Sequence, residues 1–122
     1  MSLSRFKVLF EFENGVKVYG ELSKIYAPNT VNKLINRLPL DGRVESKDGW
    51  LYFIIDHRLS PEKPRRTCEP GWIAYWPLGK AICLFYRSVS LSSPVNRIGD
   101  LSSGFEVLAE IPSGTRVRVR TV

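Results

Sequence analysis

The chain has 122 residues, of which 43% are hydrophobic and 25% are charged, a balance typical of one folded globular domain spanning residues 1–122. No stretch approaches the roughly 18 consecutive apolar residues that a membrane helix needs, and the N-terminus has no apolar signal-peptide core. These absences predict a cytoplasmic protein without membrane contact.

The net charge of +6 would suit an anionic partner such as nucleic acid. Arg116, Arg118 and Arg120, however, alternate with valines, which is typical of the solvated face of a half-buried strand. Recognisable nucleic-acid-binding motifs are absent. We therefore do not expect a nucleic-acid partner, although the basic segment 63–66 keeps that alternative open.

The two cysteines, Cys68 and Cys83, fall short of a metal site even together with His57, because structural zinc takes four ligands. No metal and no cofactor are expected. The cysteines are either buried free thiols or a disulfide, and cytosolic disulfides are most usual in hyperthermophiles. A chain without glutamine and with one methionine favours a thermophilic source.

The segment "RFKVLFEFE" (5–13) places Phe6, Val8, Phe10 and Phe12 on one face, which predicts a strand, and a turn at Asn14-Gly15 folds it into a hairpin. A three-residue loop, 13–15, would pair Phe12 with Val16 and use Gly15 in a left-handed conformation. A two-residue loop would place apolar residues opposite polar ones, so we predict the longer loop.

"APNTVNKLINRLP" predicts one short amphipathic helix, which Pro28 opens and Pro39 stops. Two strands, "GRVESK" and "GWLYFIID", follow and are joined by a tight hairpin at Asp48-Gly49. Residues 57–70 carry three prolines and no periodicity, which predicts a loop that serves as a lid, a binding loop or an insertion.

Residues 71–86, "GWIAYWPLGKAICLFY", form a hairpin that is apolar on both faces. Trp72, Ala74 and Trp76 share one face, and Ile73 and Tyr75 share the other. Such a hairpin must be covered on both sides, and the sequence leaves the outer covering open.

Lys80 lies in the Pro-Leu-Gly-Lys turn of this hairpin, beside Trp76. Its ammonium group would either meet an indole ring or an acidic ligand group, or simply keep the hairpin tip soluble.

A Ser-rich connection is expected from Ser88 to Pro94. Phe105, Leu108 and Ala109 then predict a second short helix that ends near Pro112, and a terminal strand spans 115–122. About seven strands with two short helices predict a closed or nearly closed β-barrel.

The helix segment "YAPNTVNKLINRLPLDGRV", the strand "LYFII", the hairpin "GWIAYWPLGKAICLFY" and the closing "NRIGDLSSGFEVLAEIPSGTRVRVR" together resemble the small prokaryotic cyclophilin-like proteins. The function of that family is largely unassigned. The resemblance covers nearly the whole chain and implies a mainly β fold, a closed cyclophilin-like β-barrel of about eight strands with two short helices.

True cyclophilins isomerise X-Pro bonds with an arginine in a Phe-His-Arg-Ile-Ile strand, and the resemblance places Phe53 or Ile54 at that position. An apolar side chain cannot place charge against the imide, so we do not expect an enzyme. Arg58 lies a few residues further on and would have to swing in to replace it. Phe85 matches an aromatic of the proline pocket in this comparison.

The sequence therefore predicts a non-catalytic module that binds a small molecule or peptide, as a monomer or homodimer. The alternatives are weak peptidyl-prolyl isomerase activity, a nucleophilic pair of His57 and Cys68, and aromatic rings that only fill the core or a dimer interface. The candidate ligand-binding residues are Tyr52, Arg58, Tyr75, Trp76, Lys80 and Phe85.

Overall fold

The computed structural model of the protein describes residues 4–122, which form nine strands and two short helices. In chain order these are β1 (Arg5–Phe12), β2 (Lys17–Ser23), α1 (Pro28–Ile35), β3 (Leu40–Ser46), β4 (Trp50–Ile54), β5 (Arg65–Cys68), β6 (Trp72–Trp76), β7 (Ala81–Phe85), β8 (Val89–Leu101), a 3₁₀ helix (Phe105–Glu110) and β9 (Arg116–Thr121).

Eight of the strands form a closed antiparallel ring in the order β1, β9, β3, β4, β7, β6, β8, β2. Pairing of β2 with β8 closes the ring, with Gly20 opposite Leu101 and Leu22 opposite Gly99. The remaining strand, β5, pairs only with β8 and lies outside the ring. The ring and its two short helices confirm the fold class predicted from the sequence.

The first hairpin has the predicted three-residue loop. The Phe12 amide donates to the carbonyl oxygen of Val16 at 2.9 Å, and Gly15 adopts a φ of +94°. At the other end of the chain Val117 and Val119 are buried while their arginine neighbours on β9 are exposed, as the alternation predicts.

Helix α1 begins at Pro28 as predicted and packs against β2 and β8 through its buried Val31 and Leu34. The helix ends at Ile35 and does not reach Pro39, which was predicted to stop it. The second helix is also present, but it is a 3₁₀ helix, with Leu108 buried and Ala109 exposed.

Two segments that were predicted to be irregular contain strands. The expected loop 57–70 includes β5, and the expected connection 88–94 is the first half of β8. In that half, partly buried Val89 and Leu91 alternate with exposed Ser90 and Ser92. One face of the segment therefore packs against the molecule, which is sufficient for a half-buried strand.

The apolar side chains form two layers. The first is the ring core, which fills the interior of the ring and includes Phe10, Phe53 and Tyr75. The second is the outer cluster, which lies on the outside of the β6–β7 hairpin. Its buried members are Cys68, Trp72, Ala74, Cys83, Phe85 and Val95.

Ring closure at Gly99 depends on the absence of a side chain. A Cβ atom at this position would lie 2.1 Å from the carbonyl oxygen of Glu21 on the facing strand. We therefore expect Gly99→Ala to lower the free energy of unfolding by about 3 kcal/mol or more in urea denaturation. Ser90→Ala, at an exposed position on the same strand, is the control and should leave stability within about 0.5 kcal/mol of the wild type. Equal stability of the two variants would contradict this account of ring closure.

Candidate functional site

The β6–β7 hairpin faces two apolar layers, as its sequence pattern predicts. Ile73 pairs with Leu84 and Tyr75 with Ile82, and all four side chains belong to the ring core. The intervening residues of both strands belong to the outer cluster. Both faces are thus buried.

The outer face of the hairpin is covered by the chain itself. Cys68 of β5 and Val95 of β8 are buried members of the outer cluster, and Val89 and Leu91 of β8 pack against it. The pairing of β5 with β8 therefore forms a flap over the hairpin, which answers the question that the sequence left open.

Three partly buried rings of β4 and β6 surround this cluster. Trp50 stacks on Phe85 with 5.5 Å between ring centroids and an angle of 12°. Tyr52 contacts Trp50 and Trp76, each at 5.4 Å. Most of the aromatic surface of the hairpin is thus used in packing.

Cys68 and Cys83 are free thiols in the structure and both are buried. Burial raises the pKa of the Cys68 thiol to about 11, and burial raises that of Cys83 well above its usual range. A thiol in this state is a poor nucleophile. In addition, no hydrogen bond joins Cys68 to His57 within the described part of the chain. The geometry therefore does not favour the predicted pair of His57 and Cys68.

Tyr75 fixes the start of the 57–64 segment. Its hydroxyl donates to the carbonyl oxygen of His57 at 2.6 Å and accepts the Leu59 amide at 3.1 Å. Burial raises the pKa of Tyr75, which keeps the hydroxyl protonated. Tyr75, which was predicted to contact a ligand, thus connects the ring core to the segment 57–64 that crosses it.

Glu62 fixes the middle of the same segment. Its carboxylate accepts the backbone amides of Asn29 and Thr30 at 3.1 and 2.8 Å, and the Thr30 hydroxyl at 2.7 Å. The Glu62 amide in turn donates to the side-chain oxygen of buried Asn96 at 2.8 Å. Residues 57–62 are therefore attached to α1 and β8, which favours a fixed cover over a lid.

A groove lies where this fixed segment passes the tip of the hairpin. Its volume is about 500 Å³, and its walls are the segment 58–61, the turn 77–80 and the strand residues 93–94. The residues that line it are Arg58, Leu59, Ser60, Pro61, Pro77, Leu78, Lys80, Ser93 and Pro94. The lining is thus mostly apolar, with two cations and two hydroxyls.

Packing around Trp76 holds one wall of the groove. The indole N–H donates to the Ser93 hydroxyl at 2.9 Å, which links β6 to β8. A Cβ atom at Gly79 would come within 2.3 Å of the Trp76 ring, so only glycine lets the turn pack on the indole. Leu78 then projects outward with 77% of its surface exposed.

The charged groups at the groove come from two strand ends. Lys80 Nζ lies 3.8 Å from a carboxylate oxygen of Asp56, which is 88% exposed. Arg58 is exposed and makes no hydrogen bond or ion pair with any residue from 4 to 122. Positive charge therefore predominates at this rim.

The six residues predicted from the sequence divide into residues that line the groove, residues that support its wall and residues that are buried away from it. Arg58 and Lys80 line the groove. Trp76 supports the wall through Ser93, and Tyr52 supports it by packing on Trp76. Tyr75 and Phe85 are completely buried and contribute no surface to the groove. The apolar lining of the groove was not predicted from the sequence. Leu78, an apolar residue in a turn, was a signal that could have indicated it.

The strand that carries the catalytic arginine in true cyclophilins has no charge at the corresponding places here. Phe53 is buried in the ring core, and Ile54 points outward and is 55% exposed. Arg97 of β8 is engaged by its neighbours. Its guanidinium lies 3.9 Å from the centre of the Tyr26 ring and 4.4 Å from that of Trp72, and it is paired with Asp100.

A larger concave surface, of about 670 Å³, lies on the outer wall formed by β1, β9 and β3. Two of its carboxylates are already paired, since Asp41 lies 3.5 Å from Arg118 and Glu11 lies 2.9 Å from Arg120 on the same strand, while Arg43 and Arg116 form no ion pair with any residue from 4 to 122. This agrees with a solvated strand face. We therefore take the smaller groove at the hairpin tip as the candidate site.

Within residues 4–122, no helix is long and apolar enough to cross a membrane. No group of three or more His, Cys, Asp or Glu side chains in that part of the chain is arranged to hold a metal ion.

The ring of eight strands with two short helices is a cyclophilin-like fold. The chain belongs to the cyclophilin-like family, whose sequence model matches residues 5–120. A hypothetical protein from Archaeoglobus fulgidus has the same fold in solution, with a TM-score of 0.83, 28% identity and coverage of 98% of this chain and 96% of that one.

A second solved structure, of McbB in complex with tryptophan, matches with a TM-score of 0.75 and 17% identity. The match covers 93% of this chain and 44% of McbB. At this identity the likeness shows a shared fold alone. No curated protein sequence matches the chain significantly.

The role of Tyr75 as an anchor can be tested with Tyr75→Phe. This change leaves the Leu59 amide without its acceptor, so we expect a loss of about 2 kcal/mol in the free energy of unfolding. Amide hydrogen exchange at Leu59 should also accelerate. Tyr19→Phe, at a half-exposed tyrosine of β2, is the control and should change neither quantity. Unchanged exchange at Leu59 in Tyr75→Phe would contradict the anchoring role.

Glu62 caps α1, because its carboxylate accepts the Asn29 and Thr30 amides of the first turn, and this cap makes a pH-dependent contribution to stability. Desolvation raises the pKa of this carboxyl, but the hydrogen bonds from Thr30 and Asn29 outweigh it and lower the pKa below its ordinary value of 4.5. The stabilisation is therefore complete above that ordinary value and is lost as pH falls through the lowered folded-state pKa.

We expect the difference in unfolding free energy between wild type and Glu62→Gln to be greatest near pH 7 and to shrink as pH falls below the ordinary carboxyl pKa of 4.5. Urea denaturation at a series of pH values measures it. Glu45→Gln, on the exposed face of β3, serves as the control and should show a much smaller change. A difference for Glu62→Gln that is independent of pH would contradict the cap.

Proposed function

We propose that this cyclophilin-like protein is a non-catalytic binding module that takes a small molecule in the groove at the tip of the β6–β7 hairpin. The observation that carries the proposal is the groove itself, a mostly apolar recess of about 500 Å³ that is open to solvent and lined by a few polar groups. Sites for small ligands in proteins have this size and this composition.

The fixed walls of the groove support binding. The segment 58–61 is held by Tyr75 and Glu62, and the turn 77–80 is held against Trp76. A recess with anchored walls requires little ordering when a ligand enters, which favours affinity. A peptide remains the alternative ligand, and its binding would have to extend beyond these walls.

The absence of reactive groups at the groove supports a non-catalytic role. Among the described residues, the lining provides hydroxyls and two cations but no carboxylate, histidine or thiol. The thiol of Cys68 is buried and protonated. Residual isomerase activity stays a prediction, which a prolyl-peptide assay would test.

The lining of the groove guides the choice of first ligands. Because the lining is mostly apolar, a library of small aromatic and aliphatic compounds suits a first screen.

The test is a fragment screen by ¹⁵N–¹H NMR, with the chemical-shift changes mapped on the chain. Binders should perturb residues 58–61, 77–80 and 93–94 together. Leu78→Ala should weaken them by about threefold, because it removes apolar lining without disturbing packing. Ile25→Ala is the matched control, since Ile25 is 69% exposed and lies outside the groove.

A screen without binders at these residues would contradict the proposal. In that case the oligomeric state, measured by light scattering, decides whether the exposed apolar residues near the hairpin tip serve dimerisation instead. Binders that map to another surface would contradict the choice of site.

A further inference from the structure

Two residues at the rim of the groove have a backbone conformation that their side chains disfavour. Asp56 and Lys80 have φ angles of +55° and +50°, in the left-handed region. Aspartate enters this region with some ease, but lysine rarely does so, and glycine is the residue of choice. Unfavourable backbone conformations of this kind are concentrated at functional sites, which makes the position of Lys80 informative.

The local structure fixes these two residues beside each other. The Ile55 amide donates to the Lys80 carbonyl oxygen at 2.9 Å, and the Lys80 amide donates to Pro77 at 3.3 Å. Their side chains then form the long ion pair of 3.8 Å. Because Asp56 is largely exposed, this ion pair contributes little to stability, and another anion can displace the Asp56 carboxylate from Lys80.

Arg58 provides a second cation on the same rim, and it has no partner among the described residues. A guanidinium and an ammonium that border an apolar recess are complementary to a molecule with an apolar body and one anionic end. The carboxylate of Asp56 pairs with Lys80 at the rim, and none of the residues that line the groove carries a carboxylate.

We propose that the ligand of the groove is a small monocarboxylate, whose apolar body packs on Leu78 and the prolines while its carboxylate binds Arg58 and Lys80 in exchange for Asp56. This inference rests on the proposed function, since it names the ligand class for the same groove.

The experiment compares 4-phenylbutyrate with its neutral amide, 4-phenylbutyramide, which has nearly the same shape. Both are titrated into the ¹⁵N-labelled protein, and dissociation constants are taken from the shifts at the groove. We expect the carboxylate to bind roughly tenfold more tightly than the amide, with the difference decreasing at high salt.

Variants of the charged residues identify the partners of the carboxylate. Arg58→Gln and Lys80→Gly should each weaken 4-phenylbutyrate by about threefold and leave the amide unchanged. Asp56→Asn should strengthen 4-phenylbutyrate, because it removes a competing anion, and asparagine tolerates the left-handed conformation.

Lys63→Gly is the matched control for Lys80→Gly. Lys63 also has a positive φ, of +46°, but it does not line the groove. Both glycine variants should melt no lower than the wild type, because glycine relieves the backbone. Only Lys80→Gly should weaken the carboxylate. Equal losses in both variants would overturn the inference.

Equal affinities of the acid and the amide, with shifts at the groove, would overturn the carboxylate assignment and leave the proposed binding function intact. Absence of binding by both probes would also overturn the assignment, whereas the fragment screen alone decides the proposed function.

Discussion

The double-sided burial of the β6–β7 hairpin is the constraint on which the rest of the structure depends. Its inner face packs in the ring core, but Trp72, Cys83 and Phe85 on the outer face would otherwise meet water. Exposed apolar surface of this extent is costly. The chain therefore supplies a second layer, and β5 with the first half of β8 forms it, because these segments flank the hairpin in sequence.

The groove is a geometric consequence of that second layer. To reach the outer face, the chain leaves β4 at Ile54 and crosses the hairpin tip before β5 begins. The crossing segment is irregular, so its backbone polar groups need partners, and Tyr75 and Asn96 provide them. Its own Glu62 carboxylate attaches the segment to α1. A recess forms between this anchored segment and the turn 77–80. The same contacts that stabilise the fold thus make the recess rigid.

Much of the fold could be predicted from local patterns. Alternation identified the faces of β1 and β9, and helical spacing identified α1. The strand β5 was missed because its four residues, which lie between two prolines, are too few to show an alternating pattern. Its pairing with β8 is in addition a long-range contact. The site was predicted in part. Alternation along the strand places Tyr75 and Trp76 on opposite faces of β6. Which face points into the ring depends on closure of the whole sheet.

The distribution of charge is one reason for our proposal that this member of the family holds a molecule and does not transform one. Catalysis of bond rotation requires charge placed at the reacting atoms inside a shielded pocket. Here the position on β4 that points inward holds Phe53, and Arg97 is occupied by two rings and Asp100. The available cations, Arg58 and Lys80, lie instead at the rim of the groove, where water screens their charge and where they are placed to attract and orient an anion.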